Sequence, residues 1–333
     1  MQNPPSIYNY TTPFVRQLKT LFEAIPEEEL IGALKIYYAG RRGYTNKVLW
    51  RTCVAMTVLS LPSFAALIRA LENNPMLAVA CGITSYGGIP SKFAYSRFLR
   101  KLSQPKYVLM VRNIMRSLTK RLYEALPDFG KGVVIDSTDL KAWSNGAKKP
   151  PSDPDASWAA KLDTSGKKKF YFGYKLHLLA DTQYELPIAA KLTAGSVHDV
   201  RVAGRLLSEA RFTYGKFYPK HVVCDADYCS RKLRHLIRHQ YHGNPIIKAN
   251  LAHKKSLFPE TKEWQALYNR RTSIERLFAR LKGYRRLNSI TVRRIRKVTV
   301  HCLLSLIVVQ AQALHSAMSN QMSSVRQCVH AAA

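Results

Sequence analysis

The feature that most constrains the fold is a change of sequence texture near residue 128. Upstream, from Phe14 to about Leu126, apolar residues recur at helical spacing, and prolines mark where helices start and stop. Downstream of Pro127, short β-rich runs alternate with helical ones, which is the pattern of an α/β domain. The chain is therefore expected to place an all-α region before an α/β region.

We predict three parts: a helical domain at 1–127, an α/β domain at 128–320 and a C-terminal tail at 321–333. In the α/β domain the predicted strands are 132–136, 170–180, 186–194, 221–225 and 245–248. The predicted helices are 199–211, 230–239, 264–282 and 298–317. Three strands, a helix, a strand, a helix, a strand and then helices is the order of a ribonuclease H-like domain. We therefore expect an α/β fold (α+β overall) with a mixed five-stranded sheet flanked by helices.

The charge balance indicates a polyanionic partner. Lys and Arg number 52 against 21 Asp and Glu, which gives a formal net charge of +31. Residues 231–300 hold 19 of these basic residues and 3 Glu, so about half of the excess lies in one fifth of the chain. Nucleic acid is the first candidate for such a partner, because its phosphates offset the self-repulsion.

Other features indicate a cytoplasmic protein with no membrane span. The six cysteines are scattered without zinc-type CxxC spacing, which favours reduced thiols. The apolar run at 298–317 contains His301 and Gln310, so a buried terminal helix is favoured over a span. The opening residues do not resemble a targeting peptide. A basic stretch at 147–155 is expected to be an exposed, mobile loop.

Two short helices are predicted in the N-terminal region, each starting at a serine suited to N-capping. They cover 63–71 and 91–102, and a Gly-containing connector joins them. This arrangement fits a helix-turn-helix DNA reader and fits equally a helical bundle with a solvated basic face. In the first case the second helix would contact DNA through Lys92, Arg97, Arg100 and Lys101.

Two buried strands end in aspartate. Asp136 follows Val133-Val134-Ile135, and Asp225 follows Val222-Val223-Cys224. In open α/β sheets, ligands bind beyond the carboxyl ends of the strands, where these side chains would project. Taken singly, each aspartate reads more simply as a helix or turn cap. Asp139 is expected in a turn or on the surface, and Asp199 is expected to N-cap the next helix.

A third carboxylate lies on a predicted helix with three phosphate-compatible side chains. At about 100° per residue, Tyr268, Arg271, Glu275 and Lys282 fall within roughly 60° of one another. If Glu275 lies beside Asp136 and Asp225, the three like charges require a multivalent cation. Oxygen-only ligands suit Mg²⁺ or Mn²⁺, and two such ions promote in-line attack on a phosphodiester.

These residues carry a family resemblance. The four helix residues match, at every spacing, the Y-x2-R-x3-E-x6-K pattern of DDE-type insertion-sequence transposases. Around them, 135–138 resembles the family's first-aspartate strand, 172–177 its second strand and 195–199 the following turn. Cys81-Gly82 and Ile89-Pro90-Ser91 resemble its helical N-terminal region. The likeness covers roughly 60–310, and one departure is Asp227, which stands where the family usually has glycine.

The resemblance implies cleavage at the terminal inverted repeats of a mobile element and transfer of the 3′-hydroxyl ends into target DNA. It makes Asp136, Asp225 and Glu275 the metal-binding catalytic triad, with two Mg²⁺ or Mn²⁺ ions, and gives Tyr268, Arg271 and Lys282 a grip on DNA phosphates. It also implies a homodimer on double-stranded DNA in a bacterial, nucleoid-containing cytoplasm. A related endonuclease without strand transfer and an inactive, transposase-derived DNA-binding protein remain alternatives.

Overall fold

A computed structural model describes residues 13–34, 44–84, 88–162, 167–249 and 261–327. Parts of the predicted N-terminal domain and C-terminal tail, at 1–12 and 328–333, lie outside these ranges. Within them the chain is a mixed α/β structure with helices on a six-stranded sheet, which confirms the predicted fold class.

The N-terminal part is helical, as its periodicity predicts. Its helices are α1 (Pro13–Ala24), α2 (Glu28–Leu34), α3 (Asn46–Val58), α4 (Phe64–Asn73), α5 (Pro75–Ala80), α6 (Lys92–Leu102) and α7 (Pro105–Ala125). Ser63 and Ser91 are the N-caps of α4 and α6, since their Oγ atoms accept from Ala66 N at 3.2 Å and Ala94 N at 3.3 Å. The sequence missed α5, so the two capped helices are not consecutive.

The α/β part contains one more strand than predicted. Its strands are β1 (Gly132–Lys141), β2 (Ser157–Leu162), β3 (Lys168–Asp181), β4 (Pro187–Ala194), β5 (His221–Cys224) and β6 (Asn244–Ile247). The expectation of five strands was wrong because β2 has the sequence SWAAKL, which lacks both a β-branched residue and a clear alternation.

The sheet is mixed and runs in the order β2, β3, β1, β5, β6. β3 is antiparallel to β1 and β2, and β4 pairs with β3 beyond the end of β2. β1, β5 and β6 are parallel to one another. This topology brings the carboxyl ends of β1 and β5 to the same edge.

Four helices pack against the sheet, the first on β3 and β4 and the other three on the parallel strands, and a fifth crosses to the N-terminal bundle. They are α8 (Val200–Thr213), α9 (Arg231–Tyr241), α10 (Lys262–Asn269), α11 (Thr272–Tyr284) and α12 (Ile295–Met318). Helix α12 packs mainly on α7 and also contacts α1 and α3. Its Gln310 Nε2 donates to Thr119 Oγ1 on α7 at 2.7 Å and to Pro187 O on β4 at 2.9 Å, which ties the two regions together.

Helix α12 is a core helix by burial. Among the described residues it is the one helix long and apolar enough, by length and composition alone, to cross a membrane, but 78% of its most apolar window is buried in the fold. Its N-terminus is held by the stretch predicted to be a mobile loop, because Asp153 accepts from Arg294 N at 3.0 Å and Asp155 from Ile295 N at 2.9 Å. Asp153 is fully buried, so the prediction of an exposed loop fails at this end.

The single helix predicted over 264–282 is divided in two. Helix α10 ends at Asn269 and α11 begins at Thr272. Between them, Arg271 N donates to Tyr268 O and Ile274 N to Arg271 O, both bonds spanning three residues and therefore tighter than α-helical ones. This 3₁₀-type turn shifts Tyr268 out of the helix that carries Glu275.

We predict that Gly173→Ala destabilises the protein. Gly173 lies in β3 against β1, and a Cβ there would meet Leu140 O at 2.0 Å, a backbone atom that cannot move aside. Overpacking of this kind costs about 3 kcal/mol. The measurement is the urea midpoint followed by circular dichroism.

The control is Gly283→Ala in α11, where an added Cβ meets nothing within 4 Å. It should leave the midpoint unchanged or raise stability by up to about 1 kcal/mol. A Gly173→Ala midpoint equal to that of wild type would contradict the register assigned between β1 and β3.

Candidate active site

Two aspartates lie side by side at the carboxyl edge of the parallel strands. The parallel register places Ile135 of β1 opposite Cys224 of β5, so the next residues along the two strands are Asp136 and Asp225. Asp136 still belongs to β1, while Asp225 begins the turn after β5 and accepts from Asp227 N at 3.0 Å. The apolar runs that precede both aspartates are buried and fix their positions.

Burial first, and a neighbouring aspartate second, raise the pKa values of both carboxyl groups. The pKa of Asp136 rises to about 7, chiefly because burial disfavours the charged form and then because Asp225 is close. The pKa of Asp225 is also raised, by burial first and by neighbouring Asp227 second. Two adjacent buried carboxylates of this kind are stabilised in their ionised forms by a nearby cation.

In the structure that cation is the guanidinium of Arg271. Its Nη1 lies 3.4 Å from Asp136 Oδ2, and its Nη2 donates to Glu275 Oε1 at 2.5 Å. Although partial burial lowers the pKa of Arg271, Glu275 and Asp136 outweigh it and raise the pKa above its usual value. Glu275 therefore joins the aspartate pair through an arginine that bridges α11 and β1.

The donor chemistry at this edge fits a divalent cation, although the side chains are not gathered around one. Within the described ranges, no three His, Cys, Asp or Glu side chains lie close enough to hold one ion as they stand. Arg271 separates Glu275 from Asp136, and the Glu275 side chain is 51% exposed, so it has room to reorient. Carboxylate oxygens from Asp136, Asp225 and Glu275 are the ligands that Mg²⁺ or Mn²⁺ prefers.

A fourth carboxylate reaches this site, and the sequence assigned it another role. Asp199 precedes α8 but its side chain does not cap the helix. Its Oδ2 accepts from Ser137 Oγ at 2.7 Å and its Oδ1 from Lys175 Nζ at 2.7 Å. Asp199 therefore occupies the N-cap position that was predicted, but its side chain makes no capping bond. The carboxylate of Asp199 therefore bonds the hydroxyl of Ser137, the residue after Asp136, and the ammonium of Lys175 instead of the first backbone N–H groups of α8.

His177 completes the polar cluster around Asp199. Its Nδ1 lies 4.0 Å from Asp199 Oδ1, and its Nε2 lies 2.8 Å from Thr193 Oγ1. Burial lowers the pKa of His177 to about 4 despite the nearby carboxylate, which keeps the ring neutral at pH 7. Lys175 and His177 alternate along β3 and lie opposite Asp139 and Ser137 of β1. This alternation of polar residues is the sequence pattern from which the cluster could have been predicted.

Lys282 lies at the same sheet edge as the aspartates. Its Nζ is 3.6 Å from Asp139 Oδ1, and Lys161 Nζ is also 3.6 Å from that atom. Partial burial raises the pKa of Asp139, but Lys282 and Lys161 together bring it below its usual value. Asp139 is thus a half-buried strand residue, which corrects its expected place in a turn or on the surface.

Tyr268 occupies the other flank of the site. Its ring stacks on Trp264 with centroids 5.1 Å apart, and Lys248 Nζ lies 5.8 Å from the ring centre. Burial raises the pKa of Tyr268, while Arg271 beside it acts in the opposite direction. Tyr268 and Arg271 therefore remain neighbours although a tight turn separates their helices.

Helix α11 is fixed to the sheet by a buried glutamate that the sequence did not single out. Glu185, in the connection between β3 and β4, has a side chain only 3% exposed. Its carboxylate accepts from Arg276 Nε at 2.6 Å and Arg280 Nη1 at 2.5 Å, and its backbone oxygen accepts from Arg280 Nη2 at 2.8 Å. These bonds set the distance between Glu275 and the strand that carries Asp136.

The four basic residues predicted on α6 divide into two groups. Lys92, Arg97 and Arg100 are exposed. Lys101 instead donates from Nζ to Leu34 O at the end of α2, at 2.6 Å, and burial lowers its pKa. Lys101 therefore donates to a backbone carbonyl at the C-terminus of α2, a position where a cation is favourable.

Comparison with known proteins identifies the family. The model described as the transposase DDE domain matches residues 127–310, more than half of the chain. None of the curated proteins compared with the chain gives a significant match. One solved structure, the piggyBac transposase synaptic complex with hairpin DNA, is similar with a TM-score of 0.46 and 11% identity over 98% of this chain and 82% of that chain. The match over 127–310 shows that this chain belongs to the transposase DDE domain family.

Proposed function

We propose that the chain is a DNA transposase that binds the terminal inverted repeats of an insertion sequence. It cleaves phosphodiester bonds at the element ends and transfers the 3′-hydroxyl ends to target DNA. The observation that carries the proposal is the pair Asp136 and Asp225, which lie where the parallel pairing of β1 and β5 ends, with Glu275 joined to Asp136 through Arg271. In a member of this family, such a carboxylate set is suited to phosphoryl transfer.

The proposed metal ligands are Asp136, Asp225 and Glu275. When bound, two Mg²⁺ or Mn²⁺ ions supply a Lewis acid that activates a water or 3′-hydroxyl and stabilises the leaving oxygen. The chain's own part is to hold the three carboxylates on rigid elements. Two of them lie where the parallel pairing of β1 and β5 ends, and the third lies on a helix fixed by Glu185.

The role proposed for Arg271, Lys282 and Tyr268 is to hold DNA phosphates near the scissile bond. Arg271 can fork onto phosphate oxygens, and Lys282 supplies a point charge. In the DNA-free chain Arg271 pairs with Asp136 and Glu275, so DNA binding exchanges carboxylate partners for phosphate partners. That exchange releases Glu275 from the guanidinium.

For the remaining parts, we propose that 1–127 forms the end-binding domain and 128–320 the catalytic domain, followed by a tail at 321–333. Lys92, Arg97 and Arg100 on α6 are exposed and available to DNA, whereas Lys101 supports the helix from inside the bundle. A homodimer that pairs two double-stranded element ends, acting in a bacterial cytoplasm at the nucleoid, completes the proposal.

Asp227 favours one alternative function. It stands in the position that is usually glycine in related transposases, it is exposed, and it contributes to the raised pKa of Asp225. Added negative charge there favours a DNA-binding protein that no longer cleaves. An endonuclease that cuts without joining is the other alternative.

One assay separates the three functions. Purified protein is incubated with Mg²⁺ and labelled DNA that carries the inverted repeats flanking its coding region. Cleavage followed by joining supports the transposase, cleavage alone supports the endonuclease, and binding alone supports the inactive protein.

The substitution Glu275→Gln should abolish cleavage and retain binding to the ends. The amide keeps the shape of the side chain but removes the charge that a metal ligand needs. Loss of several kcal/mol of transition-state stabilisation corresponds to a rate lower by about 10³-fold. The matched control is Glu263→Gln, an exposed glutamate on α10. Cleavage by Glu275→Gln at the rate of that control would remove Glu275 from the metal site.

The substitution Arg271→Ala should weaken binding to the ends and flatten its salt dependence. Loss of one phosphate contact lowers the slope of log K against log salt by about 0.9. Lys262→Ala is the comparison, because Lys262 is an exposed cation at the start of α10 that the proposal does not place on the DNA. If Arg271→Ala leaves the slope unchanged, its role is to pair with Asp136 and Glu275 only.

A further inference from the structure

The antiparallel pair β2 and β3 carries an exposed aromatic surface that the proposed catalytic site does not use. We name it the aromatic surface and define it as Trp158, Phe170 and Phe172. Trp158 is 52% exposed and Phe170 is 70% exposed, while Phe172 is half-buried. Large aromatic rings in this state are unusual on a strand at the edge of a sheet, where charged residues are the norm.

The three rings share one face of the sheet. Trp158 pairs directly with Phe172 and Ala160 with Phe170, and paired residues of an antiparallel ladder point to the same side. The Trp158 and Phe172 rings are in contact, with centroids 5.6 Å apart and planes inclined by 56°. Phe170 lies two residues along β3, about 7 Å further out. Ala160, the partner of Phe170, has a small side chain and leaves the Phe170 ring exposed.

The backbone that follows β1 packs against the aromatic surface at Phe172. An added Cβ at Gly146 would come within 2.5 Å of Phe172 Cγ, so the backbone after β1 lies directly against that ring. The same stretch is tied to the segment before α12, because Arg293 Nε donates to Trp143 O at 2.8 Å. Backbone packing therefore holds the Phe172 ring in place within the aromatic surface.

The charge around the aromatic surface is positive. In the described residues 141–162 and 168–172, the acidic residues are Asp153 and Asp155, and both are engaged at the N-terminus of α12. The lysines of these ranges include Lys148 and Lys168, both exposed, and Lys168 shares the face of Phe170. A ligand that fits must offer both negative charge and flat apolar faces.

We propose that the aromatic surface binds an unpaired DNA strand by stacking its bases on Trp158 and Phe170 while the lysines contact its phosphates. Every base has a face that stacks on an aromatic ring, and such surfaces bind single strands with little sequence preference. A duplex keeps its bases stacked on one another, so it offers this surface only phosphates. A second copy of the chain is disfavoured as occupant, because each copy carries a net charge of +31.

The placement suggests a use in the proposed reaction. Phe172 lies six residues along β3 from Leu178, which pairs with Asp136. Because side chains alternate between the two faces, Phe172 and Leu178 point to the same face, and the aromatic surface lies about 20 Å along the strand from Asp136. A strand that separates from its partner near the carboxylates can be held there. This inference depends on the chain acting on DNA but not on the metal ligands, so it is tested without metal.

The test is fluorescence anisotropy in EDTA with the full chain and two labelled probes: a thymidine single strand of about 20 nucleotides and a mixed-sequence duplex of the same length. Trp158→Ala with Phe170→Ala should weaken single-strand binding by between about 5-fold and about 150-fold per stacked base. Duplex binding should change less than about 2-fold, because the phosphate contacts remain. Trp158→Tyr with Phe170→Tyr should restore most of the single-strand affinity, since it retains the rings.

The matched control is Phe212→Ala. Phe212 on α8 is 73% exposed, and Arg116 rather than another ring lies over it. Single-strand affinity in the double variant equal to that in Phe212→Ala, or an equal loss for single strand and duplex, would overturn the proposal. So would a fall in oligomer mass for the double variant in light scattering without DNA, which would show that a second copy covers the surface.

Discussion

The burial of Asp136 and Asp225 side by side is the constraint on which the candidate site depends. The parallel register of β1 and β5 brings the two carboxyl groups together, burial raises the pKa of each, and the nearby Asp225 raises the pKa of Asp136 further. Arg271 supplies the compensating charge in the DNA-free chain and links Glu275 to Asp136 in doing so. A site held together in this way is prepared to exchange one cation for another.

In the proposed function, Glu275 can join the two aspartates around a metal ion only if α11 stays close to β1. Glu185 bonds Arg276 and Arg280 from a fully covered position, and breaking such a pair would leave a buried charge uncompensated. Lys282 reaches Asp139 from the end of the same helix. These contacts hold α11 against the sheet at both ends, so that Glu275 has only its side-chain rotamers to change when Arg271 turns to another partner.

How much could be predicted from sequence depended on whether the signal was local. The buried runs before Asp136 and Asp225 and the serine caps at Ser63 and Ser91 are marked by their sequence neighbours, and these predictions are confirmed. The predicted end of the first strand at Asp136 was wrong, because pairing with β3 continues β1 to Lys141. Asp199 looks like a helix cap locally, but the lysine and serine that recruit it lie on other strands. Strand β2 and the break after Asn269 were missed because pairing with β3 and a 3₁₀-type turn decide them, not hydrophobic periodicity.

We propose that Asp136, Asp225 and Glu275 converge on divalent ions when Arg271 moves to a DNA phosphate. Anomalous diffraction from crystals of the chain with Mn²⁺ and element-end DNA measures this arrangement. We expect Mn²⁺ peaks about 2–2.5 Å from oxygens of Asp136, Asp225 and Glu275, with the Arg271 guanidinium on a phosphate. Bound DNA with Arg271 still between Asp136 and Glu275, and no Mn²⁺ peak at either aspartate, would contradict it.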